Sequence, residues 1–195
     1  RRGNRIITSA VEHPAVLECC KCLEQDGYDV VYVGVDDKCR LDLERLEDAI
    51  DENTILVSLM QVNNEAGTIM PVDAVKDLMK KKNAPGWFHC DAVQSFGKLQ
   101  VPESADLISV SSHKIHGPKG AGALFVRKGI HLPALIEGGG QESGNRSGTE
   151  NVPAITGFGT AAELSVKDRD EERQRVSVMR RALLKGLQDN LEDLR

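Results

Sequence analysis

Apolar and polar positions alternate between two periods along this chain. Residues 5–9, 28–33, 54–60, 86–90, 106–110 and 121–126 are short runs rich in β-branched and apolar side chains, and each reads as a strand. The run 54–60 is almost continuously apolar, as a strand buried on both faces of a parallel sheet must be. Helical spacing fills the gaps. Residues 14–26 place Val16, Cys20 and Leu23 on one side and stop at Gly27. Asp42 caps a helix with Leu43, Leu46 and Ile50 on its inner face. Pro71 starts another with Val72, Val75, Leu78 and Met79 inward. The repeated strand–helix order predicts an α/β fold, a mostly parallel sheet with helices on both faces.

The character changes after Gly138-Gly139-Gly140. Asn151-Val152-Pro153 opens a helix, and residues 167–195 read as one long amphipathic helix with Val176, Met179, Leu183, Leu187, Leu191 and Leu194 along one side. The charged run 167–175 is its solvated start. Arg1-Arg2-Gly3-Asn4 leads straight into a strand, and Leu194-Arg195 ends the last helix without a stop signal. The expectation is an internal piece of a longer protein: a large domain over 1–165, then a long helix over 166–195 leading toward another domain.

Composition narrows the function classes. The chain has 195 residues, 40% hydrophobic and 28% charged, which suits a soluble globular domain with a real core. A net charge of −5 argues against a dedicated nucleic-acid binder. No stretch approaches the roughly 18 apolar residues of a membrane span, and the N-terminal residues hold no signal peptide. Cys19, Cys20, Cys22, Cys39 and Cys90 are odd in number and crowded on one helix. They suit a reducing, cytoplasmic setting better than a disulfide framework. Cys20-Lys21-Cys22 is no zinc spacing, and no ligand set closes around His113-x-x-His116, so no metal site is expected.

Ligands of open α/β sheets sit at the carboxyl ends of the strands. Four loops bring polar residues to that rim: Glu12-His13, Asn63-Asn64-Glu65, Asp91 and Ser111-Ser112-His113-Lys114. A desolvated lysine amine is a nucleophile, and a poorly solvated carboxylate needs a cation. A cofactor with an aldehyde at one edge and a ring nitrogen at the other needs both, and pyridoxal phosphate is one. Lys114 would form the Schiff base and Asp91 would hold the pyridinium proton. His13, before Pro14 at a strand-to-helix turn, can lie over a ring and move a proton. Residues 138–149 offer backbone N–H groups, Arg146 and hydroxyls to a phosphate or carboxylate. The plainer alternatives are a surface loop lysine, a capping aspartate, a turn histidine and a flexible linker. His89 alternates away from Cys90 within its strand and is expected to pack.

The order Glu12-His13, Val62-Asn63-Asn64-Glu65-x-Gly67, His89-x-Asp91-Ala92-x-Gln94-x-x-Gly97-Lys98, Ser111-x-His113-Lys114-x-x-Gly117-Pro118-Lys119-Gly120 and Arg146-Ser147-Gly148-Thr149 resembles the cysteine desulfurases, which are class V, fold-type I, pyridoxal-phosphate enzymes. The likeness runs from Arg5 to about Leu164. It implies a fold-type I large domain in which Lys114 carries the cofactor, Asp91 pairs with the ring nitrogen and Gln94 bonds the ring hydroxyl. It further implies that His13 stacks on the ring and acts in proton steps, that Ser111 and His113 hold the phosphate, and that Asn64 meets the substrate carboxylate region. Thr149 would reach the phosphate in the partner subunit, which implies a homodimer. The implied reaction converts L-cysteine to L-alanine, passing sulfur as a persulfide to an acceptor or scaffold protein of iron–sulfur or thiolation pathways.

The departures are also specific. The family's catalytic cysteine stands on a loop toward the C-terminus, and none of the five cysteines here matches it; the substrate-carboxylate arginine of that region and an N-terminal phosphate-contacting segment are likewise unmatched. The chain is therefore expected to be the cofactor-binding large domain, inactive by itself. Cys90 neighbours Asp91, but its side chain should point to the opposite side of the strand. A selenocysteine lyase, a class V aminotransferase and a non-catalytic dimerisation or scaffold module are the alternative functions.

Overall fold

A computed structural model describes residues 3–192. One six-stranded sheet organises them. Its strands are β1 (Arg5–Ser9), β2 (Asp29–Val33), β3 (Thr54–Met60), β4 (Trp87–Asp91), β5 (Leu107–Ser111) and β6 (Gly122–Val126). The spatial order is β2-β1-β3-β4-β5-β6. All neighbours run parallel except β6, which is antiparallel to β5. The five parallel strands therefore end on one rim, and only β6 starts there.

The helices are α1 (Pro14–Gln25), α2 (Leu43–Ala49), α3 (Val75–Lys81), α4 (Val152–Lys167) and α5 (Arg169–Asn190). Their starts follow local chemistry. The Asp42 carboxylate accepts from Glu44 N and Arg45 N, and Asn151 Oδ1 accepts from Ala154 N ahead of Pro153. Gly27 follows α1 at φ +87°, the left-handed stop that a side chain would strain. Pro71 opens a 3₁₀ turn, Val72–Ala74, that runs into α3.

The core lies where the central strands meet α2 and α3. Ile7, Leu46, Ile50, Val57, Leu59, Val72, Val75, Met79 and Phe88 are buried there. At the amino end of β5, buried Asp106 accepts from Phe88 N at 2.8 Å and from Lys76 Nζ at 2.7 Å, which ties β4 to β5 at the end opposite the rim.

Two expectations need correcting. Leu43 is exposed rather than inward. It is the first residue of a seven-residue helix beside edge strand β2, where Leu46 and Ile50 already fill the contact. The single helix expected over 167–195 is two helices that meet at Asp168, whose backbone caps α4 and whose carbonyl accepts from Glu172 N. The stripe on α5, which meets α4, is largely exposed, at Val176, Met179, Leu183 and Leu191. Leu194, with Arg1, Arg2 and Arg195, lies outside the described residues.

Candidate active site

The rim is assembled from the strand ends. Asp91 is the last residue of β4 and stands in register with Met60 of β3 and Ser109 of β5. Its carboxylate is half-buried. Oδ1 accepts from Val93 N at 2.9 Å, so the capping reading of Asp91 is partly true. No cation pairs with it among the described residues.

Lys114 lies in the 3₁₀ turn Ser112–Ile115 that follows β5. It is half-buried and forms no hydrogen bond or ion pair among the described residues. The nearby Lys98 amine is held below the usual lysine range, by burial first and then by the Lys114 charge. The turn is clamped from outside by α4. A side chain at Gly117 would collide with Ser112 Oγ and Ala161, and one at Gly157 would come within 2.7 Å of Pro118. Glycine at both positions lets α4 press the loop against the end of β5.

His13 caps α1: its Nδ1 accepts from Ala15 N at 3.1 Å. In the neutral ring that bond leaves the proton on Nε2, aimed away from the helix backbone. Ser111 Oγ and His113 Nδ1 are 2.8 Å apart at the end of β5. Gln94 sits in the turn after Asp91, where its carbonyl accepts from Lys98 Nζ at 3.0 Å and its side-chain amide bonds to nothing described. Asn64 is exposed on a turn that Asn63 builds: Asn63 Oδ1 accepts from Glu65 N and Ala66 N, and Nδ2 donates to Val11 O. Thus the ends of β1, β3, β4 and β5 gather His13, Asn64, Asp91, Gln94, Ser111, His113 and Lys114 on one rim.

Thr149 stands apart. It is exposed on the strand-free stretch before α4 and bonds to none of the others. The glycine-rich loop ahead of it closes on itself: Arg146 Nη1 donates to Gly148 O, Gln141 Oε1 accepts from Gly148 N, and Ser147 Oγ accepts from Gly140 N. Arg146 is therefore occupied locally.

Two further polar residues near the rim, half-buried His89 and buried Glu12, receive no role from the sequence. His89 packs as expected, with Nδ1 2.8 Å from Ser58 Oγ and Nε2 2.8 Å from Ser109 Oγ; burial lowers its pKa. Glu12 is buried with its carboxyl bonded to Ser9 Oγ and Met60 N. The sequence places Glu12 beside His13 at the rim and within the family motif, but gives it no separate role.

Cys90 lies on the far side of β4 from Asp91, fully buried, and burial pushes its thiol up to about 12. Thiolate, not thiol, reacts with alkylating agents. Iodoacetamide on the native chain at pH 8 should label exposed Cys19 and Cys22 and leave Cys90 unmodified, as read by peptide mass mapping. Rapid labelling of Cys90 would contradict its burial.

The donor set fits pyridoxal phosphate. A half-buried amine without an anion and a half-buried acid without a cation stand on adjacent strand ends, with a hydroxyl–imidazole pair beside the amine. Each lacks, within the described chain, the partner that such a ring would bring.

The Aminotransferase class-V family model matches residues 1–194. A protein named cysteine desulfurase IscS from Clostridium botulinum is 41% identical over all of this chain and 49% of its own length. A cysteine desulfurase from Gluconacetobacter diazotrophicus is 47% identical over 96% of this chain and 48% of its own. Among solved structures, a NifS-like protein superposes with a TM-score of 0.93 at 46% identity, covering 97% of this chain and 53% of that one. SspA in complex with cysteine superposes at 0.77 with 41% identity, covering 84% of this chain and 48% of that one. The chain thus spans about half the length of the relatives it matches. It belongs to the aminotransferase class-V family, as the large domain of the fold its cysteine desulfurase relatives share.

Proposed function

We propose that this chain is the cofactor-binding part of a pyridoxal-phosphate-dependent cysteine desulfurase. The Lys114 amine and the Asp91 carboxylate at the ends of β5 and β4, neither in an ion pair among the described residues, carry this reading. When bound, pyridoxal phosphate supplies an aldehyde for amines and a ring that draws electrons from the substrate's α-carbon. Asp91 would hold the ring-nitrogen proton. His13, with Nδ1 committed to Ala15 N, would lie against the ring and present Nε2. Ser111, His113 and the turn's backbone would receive the phosphate, joined by Thr149 from the second subunit of a homodimer. Gln94 would bond the ring hydroxyl. Asn64 would meet the substrate carboxylate. Lys114 would attach the cofactor, and Lys114 or His13 would move the α-proton of the substrate.

The reaction we assign is L-cysteine plus a protein thiol giving L-alanine plus a protein persulfide. The carbon–sulfur bond breaks, and that sulfur joins the thiol sulfur. The buried Cys90 thiol is unsuited to receive it, so the acceptor thiol is assigned to residues outside this sequence. From the persulfide the sulfur would pass to an acceptor or scaffold protein, in the cytoplasm. The names of the cysteine desulfurase relatives and the cysteine complex of SspA agree with that substrate.

The test measures alanine and persulfide formed from L-cysteine and pyridoxal phosphate, using this chain and its full reading frame. Turnover by the full protein and none by the 195 residues is expected. Pyridoxal phosphate binding by neither, or turnover of a keto acid instead of cysteine, would refute the assignment.

A further inference from the structure

Glu12 is the last residue before the His13 cap, yet its side chain turns inward and is only 4% exposed. β1 and β3 are last in register at Thr8 and Ser58. Two residues on, Met60 N has lost its strand partner, and Glu12 Oε1 takes the place of the missing carbonyl at 3.0 Å while also accepting from Ser9 Oγ at 2.6 Å. Oε2 is buried with no partner among the described residues. The titratable groups facing Glu12 are Asp91 and Cys90 on β4 and Cys20 on α1. None is a cation. A buried carboxylate with a bare oxygen and an acid for a neighbour is costly, and taking up a proton removes the cost.

We propose that Glu12 is a positioning residue of this site: its buried carboxyl pins the base of His13 to the end of β3 and, when it holds a proton, leaves the rim's negative charge to Asp91. The role rests on the function proposed above. Met60, which Glu12 holds, is the register partner of Asp91, so the same side chain places both residues assigned to the ring. Burial, with the Asp91 charge adding to it, pushes the Glu12 carboxyl up to about 7. The folded chain therefore keeps a proton that the unfolded chain releases above its ordinary value of 4.5. Stability falls as pH rises through that window.

The experiment compares the wild type with Glu12→Gln and Glu12→Ala in two arms. In the first, the cofactor-free chain is melted from pH 4.5 to 8. The wild-type midpoint should fall relative to E12Q by on the order of 5–10 °C across the window, since E12Q has no proton to lose. A constant difference between the two would overturn the neutral acid. In the second, pyridoxal phosphate is titrated and its absorbance followed against pH. E12Q should keep the wild-type affinity within about threefold, while E12A, leaving Met60 N unpaired, should lose about tenfold or more. The wild-type spectrum should change near pH 7 and the E12Q spectrum should not. E12Q as weak as E12A, or a spectral step that persists in E12Q, would overturn the positioning role. No binding by the wild type, either as these 195 residues or in its full reading frame, overturns the proposed function and this role with it, while the first arm still decides the protonation of Glu12.

Discussion

Lys114→Ala should abolish covalent attachment of pyridoxal phosphate and lower cysteine turnover by the full-length protein by at least about 10³-fold. Two properties of the residue make the effect large. Its amine has no competing anion among the described residues, so nothing holds it as an ion pair. Its turn is also clamped, with Gly117 against Ser112 and Gly157 against Pro118, so no other side chain can swing into its place. Lys98 is the natural control. Its amine sits below the ordinary lysine range, through burial and the Lys114 charge, but its Nζ is spent on Gln94 O. Borohydride treatment of the wild type with the cofactor, followed by peptide mapping, should fix the label on Lys114. The label should persist in Lys98→Ala and vanish in Lys114→Ala. Label on Lys98, or retained turnover in K114A, would remove Lys114 from the chemistry.

The elements that were legible in the sequence are those whose environment is local. The run 54–60 is almost continuously apolar and is a strand buried between two others. Asp42 and Asn151 cap the helices their spacing predicted. The reversed direction of β6 is a matter of chain length: ten residues join Ser111 to Gly122, too few for the crossover of a dozen or more that a parallel strand requires. The stripe on α5 has a true helical period, but periodicity says only that a face is apolar. What covers that face is a tertiary fact, and within the described residues the face is largely exposed.

The rim was readable for a similar reason. Strand ends are predictable from runs, and in a parallel sheet all of them arrive on one side. Hence His13, Asn64, Asp91 and Lys114 could be placed together without coordinates. The secondary tasks of these residues were not readable. That His13 caps α1 and that Asp91 holds Val93 N depend on backbone angles within one turn. Glu12 depends on more, since its burial follows from the register at which β1 stops pairing with β3. Nothing in the string Glu12-His13-Pro14 reports where a neighbouring strand has lost a partner.

Asp91→Asn separates the chemistry of the rim from its architecture. Asn keeps an oxygen for Val93 N, the one hydrogen bond the side chain makes in the described chain, so the local turn should survive. Without its cofactor the protein loses only a half-buried charge that has no cation and that feels Glu12 nearby; the cofactor-free stability should move by less than about 1 kcal/mol, in either direction. The cofactor sees a different change. A pyridinium facing an amide lacks its counter-charge, and removing one member of a poorly solvated pair costs about 3–5 kcal/mol, a loss of roughly 10²- to 10⁴-fold in affinity or in turnover. Thermal melts of the cofactor-free chain and pyridoxal phosphate titrations of the same preparations measure the two quantities side by side. A D91N protein that melts like the wild type but binds the ring at least a hundredfold more weakly places Asp91 at the ring nitrogen. One that binds equally well makes Asp91 a turn residue and leaves the rim without an acid for the cofactor.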